Sequence, residues 1–185
     1  MKRFCIILYL LTTFVCFGTT TKVTRIIDGD TFETESGEKV RLIGINAPEI
    51  SDIFGQEAKL HLANLIDGKT IDLQSDNISK NRDRYSRLLR YVFLDNTDIN
   101  KQMISDGFAF AYLKYHFSKK EEYRQAQLTA NKQNKGIWSN GSKDEIIKQQ
   151  DIKESFWKSL PSKIYFIGGL VFFLICFGLY YFFKR

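Results

Sequence analysis

The chain has 185 residues, with 27 Lys+Arg against 21 Asp+Glu for a net charge of +6, and 44% of its residues are hydrophobic. Its three cysteines, Cys5, Cys16 and Cys176, all lie in apolar terminal stretches, so the residues between carry neither a disulfide framework nor a thiolate metal site. Residues 22–141 hold 18 basic and 17 acidic side chains, a near-neutral balance that excludes a broad electrostatic clamp on nucleic acid and leaves only local basic clusters.

The N-terminus places Lys2-Arg3 before a 15-residue apolar stretch, residues 4–18. That length suits a signal core better than a full span, so residues 1–18 read as a signal peptide or an N-terminal signal anchor. At the other end, residues 164–183 run 20 positions without a charge and are followed by Lys184-Arg185. At about 1.5 Å per residue this stretch spans roughly 30 Å, which predicts a transmembrane helix in contact with the lipid bilayer. Tyr165, Tyr180 and Tyr181 sit near its ends, as interfacial aromatics do. Basic residues kept in the cytoplasm at both ends put the middle of the chain on the extracytoplasmic side, whether periplasmic, extracellular or luminal. Residues 142–162 are polar and read as a juxtamembrane stalk. No protein partner is implied.

The first half of the middle region reads as β. β-Branched residues mark strands at 23–27 and 31–34, Ser36-Gly37 is a turn signal, and 39–45 is the next strand. Pro48 ends that pairing because it has no N–H. Residues 54–66 carry Ala58, Leu62, Leu65 and Ile66 at helical spacing and stop at Asp67-Gly68. Strands follow at 69–74 and 85–94, then a short helix at 98–106 and a small apolar segment at 108–112. Ser118 and Glu121 have capping-box spacing and open a helix running to about 134. Ile137-Trp138 forms an apolar anchor beyond it. Five strands and three helices predict an α+β fold, an OB-type barrel with helices packed against it.

Three runs carry the chemistry: Ile27-Asp28-Gly29-Asp30-Thr31, the stretch from Arg41 through Asn46-Ala47-Pro48-Glu49, and Asp83-Arg84-Tyr85-Ser86-Arg87. Phosphodiester hydrolysis needs positive charge at the phosphoryl group, a base for water and, where a hard metal is used, oxygen ligands. Strand alternation puts Arg41 on a face with Ile43 and Ile45, and Arg87 on a face with Leu89, Tyr91 and Phe93. A guanidinium on an apolar face needs an anion, either a carboxylate such as Asp83 or Glu49 or a phosphate. Lys80, Arg82, Arg84, Arg87 and Arg90 form a local basic cluster suited to a phosphate-tracking groove. Asp30, the Asn46 side-chain oxygen and the Ala47 backbone carbonyl are oxygen donors of the kind Ca²⁺ accepts, which leaves Glu49 free as base. His61 and His116 lack partners at metal spacing and read as surface or packing residues.

These runs, with Gly136-Ile137-Trp138, resemble the staphylococcal nuclease (thermonuclease) family across residues 23–139. The resemblance implies an OB-type barrel and Ca²⁺-dependent cleavage of DNA and RNA that leaves 3′-phosphate ends. By position it implies that Asp30 is the main carboxylate ligand, with Asn46 and the Ala47 carbonyl beside it. Arg41 and Arg87 take the place of the transition-state guanidiniums, Glu49 that of the residue activating water, and Arg84, Tyr85 and Tyr112 those of substrate contacts. The family prototype has aspartate where this chain has Asn46 and threonine where it has Ala47. Asn46 keeps an oxygen donor but removes one negative charge, so weaker Ca²⁺ binding is expected. The rival expectation is a catalytically inactive nucleic-acid-binding OB module tethered to a membrane; the presence of Arg41, Glu49 and Arg87 weighs against it.

Overall fold

The structure is a computed structural model that describes residues 18–139 together with Ser155. Apart from Gly18 and Ser155, the expected leader, stalk and membrane helix lie outside the described residues. Among the described residues no helix is long and apolar enough to cross a membrane.

β-Branched residues favour extended backbone, and the first strand, β1 (Thr19–Ile26), begins four residues earlier than expected. Its first half pairs antiparallel with β5 (Thr70–Gln74), Thr19 opposite Leu73. Its second half pairs with β2 (Thr31–Thr34), Ile26 opposite Phe32. A register irregularity between Val23 and Arg25 marks the change of partner. β3 (Lys39–Leu42) pairs with β2, and β6 (Leu88–Leu94) pairs antiparallel with β5. A parallel pairing of β3 with β6, Arg41 opposite Leu89, closes the ring. The closed order β1-β2-β3-β6-β5 is the five-stranded barrel expected of an OB-type fold. β7 (Thr97–Asp98) extends β6, while β4 (Ile45–Asn46) and β8 (Phe110–Ala111) form a separate ladder.

Two expected strands are cut short. The 39–45 strand breaks after Leu42 because Gly44 sits at φ +75°, a conformation glycine tolerates. β4 therefore leaves the barrel to pair with β8. Val40 and Leu42 fill the core and Arg41 faces the other way, so its expected face with Ile43 and Ile45 does not run through the break. The 85–94 strand begins only at Leu88. Asp83 Oδ1 accepts the amides of Tyr85 (2.8 Å) and Arg87 (3.0 Å), and Ser86 is left-handed at φ 63°, so the residues before the strand form a turn.

Helix α1 (Gly55–Ile66) buries Ala58, Leu62 and Ile66; α2 (Ile99–Ser105) buries Ile99, Met103 and Ile104; α3 (Lys120–Lys132) buries Tyr123, Ala126 and Ala130. Asn100 is also fully buried in α2. Its amide donates to the carbonyls of Ile43 (3.0 Å) and Arg90 (3.1 Å) and its oxygen accepts from the Val92 amide (3.0 Å), so the polar group is satisfied while tying β6 to the β3 exit. Trp138 packs edge-on against Phe110 (5.3 Å between ring centres). His61 is a packing residue: it stacks on Phe108 and bonds Asp106 at 2.9 Å.

The expected capping box does not form. Lys119 occupies the N-cap of α3 without a side-chain cap, and Glu121 turns instead to Arg124 and Gln125. The Ser118 amide donates to Asp76 Oδ1 (3.1 Å), which also accepts the Tyr91 hydroxyl (3.2 Å). Burial alone would raise the Asp76 carboxyl, but hydrogen bonds from Ser118 and Ser79 outweigh it and hold the group at about 2.

Asp98 joins three elements. It caps α2 by accepting the Lys101 amide (3.0 Å), pairs with Lys119 (2.6 Å) and accepts the hydroxyl of fully buried Tyr123 (3.0 Å). Asp98→Ala removes a cap and strands a buried hydroxyl, so it is expected to cost about 2–4 kcal/mol in urea unfolding. A loss near zero would contradict this role.

Candidate functional site

The site begins at the turn between β1 and β2. The Ile27 amide donates to the Thr31 carbonyl (2.9 Å), and Asp28 Oδ1 accepts the Asp30 amide (2.9 Å). A β-carbon at Gly29 would come within 2.6 Å of Ala47 Cβ and 2.7 Å of Ala58 Cβ. Glycine there lets the turn press against the end of β4 and against α1, which brings the Asp-Gly-Asp run to Asn46-Ala47.

Asp30, only 6% exposed, lies at the junction. Its Oδ2 accepts the Ala47 amide at 2.9 Å and pairs with Arg41 Nη2 at 2.8 Å. Its Oδ1 accepts the Thr31 hydroxyl at 2.9 Å, and that hydroxyl oxygen accepts from Arg87 Nη1 at 3.2 Å. Arg87 Nε and Nη2 both reach Asp83 Oδ2 at 2.7 Å. Arg41 Nη1 donates to the carbonyls of Leu42 (2.8 Å) and Ile45 (2.9 Å), and Nη2 also reaches Asn46 Oδ1 (3.2 Å). One chain of contacts thus runs Asp83–Arg87–Thr31–Asp30–Arg41–Asn46.

Each arginine therefore already has a carboxylate: Asp83 for Arg87, and Asp30 rather than Glu49 for Arg41. A guanidinium carries five N–H donors. The contacts above use four at Arg41 and three at Arg87, so Arg87 keeps more free donor capacity for an incoming anion. Thr31, 2% exposed, is the residue that sequence reasoning passed over. It adjoins Asp30 in the same motif, but only the barrel brings Arg87 to its hydroxyl.

The other expected residues surround this chain at varying distance. The Tyr85 ring, 62% exposed, lies against the guanidiniums of Arg84 (4.7 Å) and Arg87 (5.4 Å). The Tyr112 amide donates to the Gly44 carbonyl (2.8 Å), which fixes its backbone beside β4. Its ring packs edge-on against Tyr115 (5.4 Å). Glu49 is exposed two residues beyond Ala47, and its carboxylate has no hydrogen-bond partner among the described residues. The five-residue basic cluster divides. Arg82 makes a two-point pair with Glu38 (2.9 and 3.0 Å), and Arg90 donates to the Leu89 carbonyl (2.7 Å).

Among the described residues no group of three His, Cys, Asp or Glu side chains could hold a metal. A hard cation would instead depend on the Asp30 carboxylate, Asn46 Oδ1 and the Ala47 carbonyl, with water completing the shell. Arg41 Nη2 already reaches both Asp30 Oδ2 and Asn46 Oδ1, so a cation there would share those oxygens with the guanidinium or displace it. Burial pushes the Asp30 carboxyl up to about 6, Arg41 opposes the rise and Asp28 adds to it. A divalent ion would stabilise the ionised form that burial disfavours.

The folded state holds the Asp30 proton more tightly than the unfolded chain does, whose usual value is 3.8. Its contribution to stability is therefore complete below that value and is lost as pH rises through about 6. In chelator, raising the pH from ~4 to ~7.5 is expected to shift stability toward Asp30→Asn relative to wild type by up to about 3 kcal/mol, on top of a constant offset set by the lost Arg41 pairing. Urea unfolding of both proteins at both pH values measures it, and a difference that does not change with pH contradicts it.

A family model described as staphylococcal nuclease homologue matches residues 39–140. An uncharacterized endonuclease of Haemophilus influenzae is 35% identical over 153 residues, which cover 78% of this chain and 83% of that protein. A thermonuclease of Staphylococcus hyicus is 36% identical over 135 residues, 65% of this chain and 76% of its own length. A micrococcal nuclease of Shigella flexneri is 30% identical over 136 residues, 67% and 76% of the two chains.

Proposed function

The chain belongs to the staphylococcal nuclease family, and from that membership we propose that it is a Ca²⁺-dependent nuclease hydrolysing the phosphodiester bonds of DNA and RNA. The observation that carries this reading is the pair of guanidiniums joined through one hydroxyl and one buried carboxylate, Arg87–Thr31–Asp30–Arg41. An inactive binding module has no need of two arginines, each with its own carboxylate, joined through one hydroxyl.

Asp30, Asn46 and the Ala47 carbonyl are the residues that would hold Ca²⁺. Bound there, the ion would supply positive charge for the phosphoryl oxygens and would orient a water. Arg87 and Arg41 present N–H donors to the same oxygens, where charge builds in the transition state. Glu49, whose carboxylate is unengaged, takes a proton from the attacking water. Water adds at phosphorus, the bond to the 5′ oxygen breaks and that oxygen takes a proton from solvent water, leaving a 3′-phosphate and a 5′-hydroxyl. Arg84 and Tyr85, stacked together, hold a neighbouring phosphate, and Tyr112 adds a contact from the β4–β8 side. The apolar segment at 164–183 supports attachment to a membrane, and the flanking basic residues support an extracytoplasmic nuclease domain.

DNA degradation is expected with Ca²⁺ and not with excess chelator. Asn46→Asp restores a ligand charge and is expected to lower the Ca²⁺ concentration giving half-maximal cleavage. Glu49→Gln and Arg87→Ala are each expected to cut the rate by ~10² or more. DNA binding without cleavage of DNA or RNA at any Ca²⁺ level would contradict the assignment. An Asn46→Asp variant with an unchanged Ca²⁺ requirement would remove Asn46 from the ligand set.

A further inference from the structure

Glu49 raises a question the contact chain does not answer. Its carboxylate has no hydrogen-bond partner among the described residues, yet a base must be placed to within a fraction of an ångström to be effective. Its side chain is not tethered, so its backbone must be.

The backbone is held from two sides. The Glu49 carbonyl accepts the Asp52 amide at 2.8 Å, and the Asp52 carbonyl accepts the Gly55 amide at 3.0 Å, which folds the intervening residues into a tight return. The first residue of α1 then lies directly on the Glu49 peptide. A β-carbon at Gly55 would overlap the Glu49 carbonyl oxygen and come within 2.6 Å of its carbon and 2.9 Å of Ile50 Cα. These neighbours are backbone atoms, which cannot rotate aside as a flexible side chain would. The approach is enforced from behind: Phe54, just before Gly55, is held left-handed at φ 69°, a conformation costly for a bulky residue, and its ring packs near Phe108 (6.4 Å). α1 itself is fixed by Ala58 against Gly29 and by Leu62 and Ile66 in the core.

We propose that Gly55 is a positioning residue for the reaction: its missing side chain seats the Glu49 backbone on the N-terminus of α1 and so sets where the carboxylate stands. The inference rests on the reading of Glu49 as the base. Gly55 touches neither substrate nor metal ligand; it acts only through Glu49.

A double-mutant cycle of Gly55→Ala and Glu49→Gln, with kcat and KM measured at saturating Ca²⁺, tests this. Gly55→Ala alone is expected to lower kcat ~10–100-fold while KM stays within about threefold. In the Glu49→Gln background the same substitution is expected to change kcat by less than about twofold, because the group it displaces no longer acts. Equal losses in both backgrounds, with Glu49→Gln itself slow, overturn the positioning role and leave Glu49 as base. A Glu49→Gln enzyme as fast as wild type overturns the assignment of the base, and the inference with it. If Gly55→Ala does not fold, hydrogen exchange in wild type decides: an Asp52 amide protected like those of α1 supports the seat, and exchange at the free-peptide rate overturns it.

Discussion

A buried negative charge organises this site. The Asp30 carboxylate is almost wholly enclosed, and an ion in that position is tolerable only with compensation from every direction. The compensation comes from four groups: the adjacent Thr31 hydroxyl, the Arg41 guanidinium, the Ala47 amide and, through Thr31, the distant Arg87. The barrel is what lets them converge. Antiparallel pairing sets Thr31 opposite Arg41, and parallel closure sets Arg41 opposite Leu89, two residues past Arg87. Burial outweighs that compensation, and the Asp30 carboxyl stays raised, at about 6.

This arrangement divides the labour between the arginines. Arg41 is largely occupied, bridging Asp30 and Asn46 and bonding two main-chain carbonyls. It braces the β3–β4 bend, and one of its five N–H donors stays outside these contacts. Arg87 is steadied by Asp83 on one side and retains donors on the other, next to the exposed Tyr85 ring. Arg84 and Tyr85 are exposed and Arg87 is half-buried, whereas Asp30 is enclosed. Glu49 belongs to neither arm and depends on the seat formed by α1.

Much of this was legible in the sequence because it is local. β-Branched residues marked the two barrel strands at 23–27 and 31–34 within a few residues, and the spacing of Ala58, Leu62 and Ile66 gave the buried face of α1. The acidic turn and both arginines stood out because charges in apolar strands demand partners. What escaped was set by distant contacts. Ile43 and Ile45 continue the apolar pattern straight through the break, and only the φ of Gly44 reveals it. Ser118 and Glu121 satisfy the capping-box rule, yet Asp76, 42 residues away from Ser118, takes the Ser118 amide. Thr31 and Asn100 look like ordinary polar residues in one dimension; their roles exist only once β6 is beside them.

The bridge between the two arms is the Thr31 hydroxyl, which donates to Asp30 and accepts from Arg87. Thr31→Val keeps the shape and removes the bridge, while Thr31→Ser keeps the bridge. The most direct measurement is the cleavage rate of the two variants at saturating Ca²⁺. The account predicts a loss of about 10-fold or more in kcat for Thr31→Val with most of it restored in Thr31→Ser. A Thr31→Val enzyme that cleaves as fast as wild type would contradict it.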